Sequence, residues 1–290
     1  MQIKNLMSED LITVDKDQKL SDGLKLLAKN DISRLPVINT NKDHQRELVG
    51  IISERDVADK LGSSRYENMP ASRLHISSVM VKDVISVVET MDLADVANLM
   101  LENGIGSVPI VSDDDMMVGI VSKADFVTLA VGRAFDKITV KEVMSDSIKA
   151  VSSQERLVHA RRIMIDSRVG RLPVIDGDEL VGMMTSKDVM KAFINFRKNV
   201  PEKYQKTQIK EILVEEVMSD NPLSISKDAS ISEVANTMMD TGYNGLPVVE
   251  DDNVIGIITQ TDILRVLIQN LIANILAIFS FFIYNKLFNC

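Results

Sequence analysis

Tryptophan is absent from the 290 residues, and aromatic side chains make up only 4% of them. The cores must therefore be built from aliphatic side chains and from the sixteen methionines, whose flexible thioethers fill irregular gaps. Cysteine occurs once, as Cys290, so no disulfide can close within the chain and no cysteine-based metal motif is available. The three histidines, His44, His75 and His159, are scattered without ligand-like spacing. Positive charge is also in deficit, with 33 Lys and Arg against 42 Asp and Glu and a net charge of −9. A broad nucleic-acid surface needs the opposite balance, because cations must displace the condensed counterions. A nucleotide ligand is not excluded, since a few local cations suffice for it. The N-terminus, Met1-Gln-Ile-Lys-Asn, lacks the apolar run of a signal peptide, and the expected setting is a reducing cytoplasm.

What the chain does contain is one pattern written four times. Met7, Met80, Met144 and Met218 each precede a proline by 29 positions: Pro36, Pro109, Pro173 and Pro247. After each proline comes the string Gly-h-h-[Ser/Thr]-x-x-Asp, with h apolar. The four strings run Gly50–Asp56, Gly119–Asp125, Gly182–Asp188 and Gly256–Asp262. A unit this small seldom buries its apolar face alone, so the copies are expected to pack on one another and to carry function between them. Successive Met markers lie 73, 64 and 74 residues apart, which groups copy one with two and copy three with four. The expected units are 1–62, 76–132, 138–197 and 212–270, followed by an apolar tail, 271–290. The joints 63–75 and 196–213 read as linkers, the second polar and basic with Pro201 inside it.

Within each copy a short β-branched run precedes an amphipathic helix. Its buried face is Leu20, Leu24, Leu27 and Ala28 in copy one, and Leu93, Val96, Ala97 and Met100 in copy two. Copy three offers Leu157, Ala160, Ile163 and Met164, and copy four Ile231, Val234, Ala235 and Met238. Two strands joined by an Asp- and Asn-bearing turn follow, then a last helix beginning near the string's Asp. In copy one that turn is longer, with a solvated insertion around 41–45. The unit is β-α-β-β-α, and the fold class α/β (α+β).

The Gly…Asp string has two readings that can hold together. It is a capping box, in which the hydroxyl caps free helix N–H groups and the acid reaches back. It also places a helix N-terminus, with its positive dipole end, beside a cleft, where the hydroxyl and carboxylate could grip a sugar.

These four copies resemble CBS domains, and their grouping resembles two Bateman modules in tandem, over nearly the whole stretch from Ile3 to Gln269. The resemblance implies adenosine-containing ligands (AMP, ADP, ATP or S-adenosylmethionine) held between paired repeats. Carried onto this sequence, it marks Asp56, Asp125, Asp188 and Asp262 as ribose-binding candidates, with Ser53, Ser122, Thr185 and Thr259 beside them. Family members binding phosphorylated ligands often carry a basic residue two before the proline, here Arg34 and Arg171, with Ser107 and Gly245 in the other copies. Arg55, Lys123 and Lys187 lie inside the strings and complete the phosphate candidates, whereas copy four has Gln260 and Thr261 there. Its site is expected to be weak or empty.

No nucleophile elbow, Walker loop or zinc motif occurs, and no enzyme is expected. The expected role is regulatory: a nucleotide sensor that signals to a separate protein by module rearrangement, acting as a homodimer or as a module pair within one chain. The rival readings are a ligand-free dimerisation scaffold and a regulatory subunit of a separate enzyme or transporter. Residues 266–285 contain no charge, leaving open a membrane anchor, a packing helix or a disordered extension.

Overall fold

The structure, a computed structural model, describes residues 1–40, 46–63 and 73–270. The insertion at 41–45, most of the first joint and the tail 271–290 lie outside these residues. Copy one comprises β1 (Val14–Asp15), α1 (Leu20–Lys29), β2 (Arg34–Thr40), β3 (Arg46–Ser53) and α2 (Glu54–Leu61). Copy two comprises β4 (Val87–Val88), α3 (Leu93–Glu102), β5 (Ser107–Val111), β6 (Met117–Ser122) and α4 (Lys123–Val127). A short helix, α5 (Val140–Val143), leads into copy three, which holds α6 (Leu157–Asp166), β7 (Arg171–Asp176), β8 (Glu179–Thr185) and α7 (Ser186–Asn199). After α8 (Glu202–Gln208), copy four adds β9 (Ser219–Asp220), β10 (Ile225–Ser226), α9 (Ile231–Thr241), β11 (Gly245–Glu250) and β12 (Asn253–Thr259), and ends in a helix across 260–270, α10.

The repeated proline has a register explanation. Each copy's first extended run pairs in parallel with the strand that carries the proline, and the Cα pairing starts one residue after it: Val14 with Val37, Val87 with Ile110, Val151 with Val174 and Ile225 with Val248. The missing N–H therefore falls outside the parallel ladder.

Each copy lends its leader to its neighbour. Residues ahead of each marker methionine dock on the other copy of the module, and their carbonyls accept the first N–H of the neighbour's helix. Leu93 N donates to Met1 O (2.8 Å), Leu20 N to Leu74 O (2.7 Å), Ile231 N to Ile138 O (2.9 Å) and Leu157 N to Ile212 O (2.9 Å). A helix start leaves such donors orphaned, so the exchange completes both partners. Four residues before each Met an aliphatic side chain is fully buried: Ile3, Ile76, Val140 and Val214. The Met then lies flat against the partner's string glycine. A Cβ at Gly119, Gly50, Gly256 or Gly182 would come within 2.5–2.7 Å of the sulfur of Met7, Met80, Met144 or Met218 respectively. The Met and the Gly of the repeated pattern are thus two halves of one reciprocal contact.

These contacts join copies one with two and three with four, as the spacing indicates. Helices then join the modules along two seams: α2 packs on α7, and α4 on α9. One apolar core runs through copies one and three, containing Leu35, Val57, Leu172 and Val189. The other runs through copies two and four, containing Val108, Phe126, Leu246 and Ile263. The first seam carries polar clamps as well. Arg161 donates from Nε to Ala58 O (3.0 Å) and from Nη2 to Asp59 O (2.6 Å) and Oδ1 (3.0 Å), and Arg197 donates to Leu61 O. Both satisfy carbonyls at the end of α2.

Two expectations need correction. Ala28 is exposed, and Gly23 takes its place on the buried face of α1, where Ile76 of the docked leader leaves room for no side chain. The joint 196–213 is not an open linker. α7 continues to Asn199, Pro201 precedes α8, and buried Gln205 ties the corner by donating to Val200 O (2.7 Å) and Arg197 O (3.2 Å).

Candidate functional site

All four strings form the capping arrangement. Oδ2 of Asp56 accepts from Ser53 N (2.8 Å) and Oγ (2.6 Å), and Asp125 Oδ2 from Ser122 N (2.6 Å) and Oγ (2.8 Å). Asp188 Oδ2 accepts from Thr185 N (2.8 Å) and Oγ1 (2.6 Å), and Asp262 Oδ2 from Thr259 N (2.8 Å) and Oγ1 (2.7 Å). The box itself uses only one oxygen of each carboxylate. In Asp56, Asp125 and Asp188 no group among the described residues donates to Oδ1, and a carboxylate oxygen has lone pairs left for hydroxyl donors. Copy four differs: Arg265 Nη1 donates to Asp262 Oδ1 at 2.7 Å, and Asp262 is 4% exposed. Its carboxylate is filled by its own helix.

The two arginines before the prolines occupy equivalent places. Each starts a strand opposite its string's hydroxyl residue, Arg34 with Ser53 and Arg171 with Thr185. Each guanidinium reaches across the module to the partner copy: Arg34 lies over Gly106, and Arg171 over Gly245, whose carbonyl accepts from Nη1 at 3.1 Å. A Cβ at either glycine would come within 2.7 Å of the arginine, so the small residue makes the crossing feasible.

The surroundings of the two diverge. Arg34 lies within electrostatic reach of Arg55, and Lys123 within reach of Arg34, Arg265 and Arg55. Burial, followed by these like charges, pushes the Lys123 ammonium down to about 8, while Asp262 opposes the shift. Lys123 Nζ donates to Thr261 Oγ1 at 2.8 Å, across the seam between copies two and four. Burial pushes Arg34 down from its ordinary value and Arg55 adds to this, while Asp56 and Glu54 oppose the shift. Ser107 Oγ, next to Gly106, is buried with no hydrogen-bond partner among the described residues. Arg171, by contrast, is pushed down to about 10 by burial alone.

Toward copy three the charge is mixed. Burial raises Glu54 to about 7, opposed by Lys187, Lys191 and Arg34 and assisted by Asp188. Lys187 pairs with Asp31 of copy one at 2.9 Å, which raises its affinity for the proton, and Arg55 Nη1 donates to Arg168 O at 3.3 Å. Arg34, Arg55 and Lys123 are therefore brought together, while Lys187 is engaged with an acid and Arg171 stands apart in the second module.

Sequence reasoning missed Arg265 and Glu54. Arg265 lies three residues after Asp262 on α10, the spacing at which helix side chains meet. Glu54, half-buried at the start of α2, lies within electrostatic reach of Lys187, Asp188 and Lys191 of α7. Among the described residues no cluster of His, Cys, Asp or Glu is suited to a metal ion, and no helix is long and apolar enough to cross a membrane.

Comparison with known proteins agrees with the repeat reading. The CBS domain matches at residues 3–63, 76–132, 140–195 and 214–269. Uncharacterized protein MJ1225 of Methanocaldococcus jannaschii is 25% identical over 279 residues, covering 91% of this chain and 97% of its own. A 33.4 kDa protein encoded in a ribosomal RNA operon of Thermofilum pendens is 27% identical over 267 residues, 88% and 87% of the two chains. The crystal structure of MJ1225 superposes with a TM-score of 0.81 at 23% identity, covering 92% of this chain and all of that one. A conserved protein from Pyrococcus horikoshii gives a TM-score of 0.61 at 22% identity with the same coverage.

Proposed function

The chain belongs to the CBS-domain family, and on that premise we propose that it is a regulatory sensor of adenine nucleotides, AMP, ADP or ATP, bound in the groove of its first module. The observation that carries this reading is the cation cluster of Arg34, Arg55 and Lys123, set beside carboxylates with one oxygen unused. Asp56 and Glu54 act against the depression of Arg34 and Asp262 against that of Lys123, yet both cations stay below their ordinary values, so a further anion beside them would be stabilised. A nucleotide supplies that anion as phosphate. Its ribose cis-diol supplies two hydroxyl donors for Oδ1 of Asp56 or Asp125, with Ser53 or Ser122 alongside. The second module keeps Arg171, Thr185 and Asp188 for a weaker site of the same kind, and the Asp262–Arg265 pair closes copy four. S-adenosylmethionine, lacking phosphate, gains little from the cluster.

Signalling is a change in how the modules meet, because the Lys123–Thr261 and Arg55–Arg168 contacts cross the seams beside the groove. The protein that reads this change is a separate chain. The test is the unfolding midpoint of the full chain with AMP, ADP, ATP or S-adenosylmethionine. A ligand at a hundred times its Kd stabilises by about 2.7 kcal/mol. The nucleotides should raise the midpoint more than S-adenosylmethionine, and no shift with any of them leaves the scaffold reading.

A further inference from the structure

Lys123 opens α4 and is half-buried where copies two and four meet. Its amine donates to a hydroxyl, Thr261 Oγ1 at 2.8 Å, and no carboxylate among the described residues forms an ion pair with it. The acid that acts on it, Asp262, is already engaged, through Oδ2 with Thr259 and through Oδ1 with Arg265. The cations around Lys123 come from two further copies, Arg34 and Arg55 from copy one and Arg265 from copy four. Arg34 lies over Gly106 and has no hydrogen-bond or ion-pair partner among the described residues. Arg265 meets Asp262 through Nη1, which leaves its other nitrogens as donors.

A further donor stands close by. Ser107 lies opposite Ser122 in the β5–β6 register, and Gly106 O accepts from Lys123 N at 3.1 Å. The Ser107 hydroxyl is 5% exposed and has no partner among the described residues. A buried hydroxyl without a partner, beside cations without acids, is completed by an oxygen acceptor. Only a neutral amine is a nucleophile, and burial with the neighbouring cations brings the Lys123 ammonium down to about 8. At neutral pH about a tenth of it is uncharged, against less than about a thousandth of an ordinary lysine.

We propose that Lys123 is a carbon dioxide site, at which Nζ forms a carbamate held by Arg34 and Arg265. The amine lone pair attacks the carbon of CO2, the electrons of one C=O bond move onto its oxygen, and the nitrogen gives a proton to solvent. Lys–NH2 and CO2 thus become Lys–NH–COO− and H+. The product exchanges a cation for an anion within the cluster, and its planar carboxylate matches the arginine fork. It ties copy two to copies one and four, so the adduct strengthens the meeting of the modules. A carbamate and a nucleotide phosphate would use the same cations. Competition between them rests on the nucleotide reading, whereas the adduct itself does not.

The test equilibrates the full chain, without nucleotide, in isotopically labelled bicarbonate at about pH 8. Carbamates are trapped with triethyloxonium before digestion and mass spectrometry. Lys123 should carry the ethoxycarbonyl group, and the exposed Lys25 and Lys141 should carry it at least about tenfold less. A carbamate resonance should appear in the carbon NMR spectrum and vanish in Lys123→Arg, which keeps the charge but not the nucleophile. Arg34→Ala and Arg265→Ala should each lower the carbamate equilibrium constant by about tenfold, since each removes a charge-assisted hydrogen bond to the adduct. Should Arg34→Ala fail to fold, the exposed change Arg265→Ala still reports. Lys123 left unlabelled, labelled no more than Lys25, or labelled equally in the arginine variants would overturn the proposal. Nucleotide binding in buffer free of carbon dioxide decides the nucleotide reading separately, so either can fail without the other.

Discussion

The string regions of the two modules are built alike and charged differently. Each has its reciprocal Met–Gly contacts, two capped helices and an arginine crossing from its odd-numbered copy to a glycine of the even-numbered one. Around Arg34 the non-repeating positions supply Arg55 and Lys123, with Arg265 arriving from across the seam. Around Arg171 they supply Gln260 and Thr261, while Lys187 is drawn away to Asp31. The backbone symmetry is a requirement of packing, since every copy needs its neighbour's leader to finish its core. The asymmetry lies in polar residues outside the two apolar cores, and those are the positions where ligand choice can differ while the cores stay the same.

The comparison breaks most completely if the first module is dismantled. Ile76→Ala removes the fully buried anchor of the leader docked on copy one and should cost about 2–5 kcal/mol by chemical denaturation. Val214→Ala does the same in the second module at a somewhat smaller loss, because fewer methyl groups are removed. The next effect addresses the ligand. Arg34→Ala should weaken AMP binding by about 10- to 100-fold in calorimetry, the range for one charge-assisted hydrogen bond. Arg171→Ala should change the same isotherm by less than about threefold, and equal losses would erase the distinction between the grooves.

A smaller effect follows from pH. Lys123 carries its charge below about 8 and loses it above, so nucleotide affinity should fall as pH rises from 7 to 9.5. The loss is at most about tenfold, and a bound anion holds the proton on, so binding near pH 8 should take up protons. Lys123→Met should flatten that profile. The smallest change is a gain: Arg265→Ala frees Asp262 Oδ1 and should add one weak binding event to the stoichiometry. An unchanged count would mean that copy four is closed by something other than that pair.

Much of the architecture was legible in the sequence because repetition multiplies a weak signal. The four copies, their β-α-β-β-α order and their grouping into modules all follow from Met, Pro and string spacing. The reciprocal docking did not, although its mark was present: Ile3, Ile76, Val140 and Val214 stand four residues before each Met. A lone aliphatic residue outside any periodic run carries no hint that its burial site is in the other copy. Ala28 was misread for a related reason. Helical periodicity gives a face, and only the docked Ile76 decides that Gly23 is its centre. The joint at 196–213 looked like a linker on composition, yet a basic amphipathic continuation of α7 with buried Gln205 is a helical corner. In the site, the capping boxes were legible residue by residue, because the box is local. The sharing of Lys123 with Thr261, the diversion of Lys187 to Asp31 and the closure by Arg265 depend on which copies meet, and no spacing within one copy encodes that.

The account is tested most directly by a crystal structure of the full chain grown with ATP. It predicts phosphates beside Arg34, Arg55 and Lys123, the ribose on Oδ1 of Asp56 or Asp125, and copy four empty with Asp262 still paired to Arg265. A nucleotide held by copy four, or a first groove left without ligand while the second is filled, would contradict it.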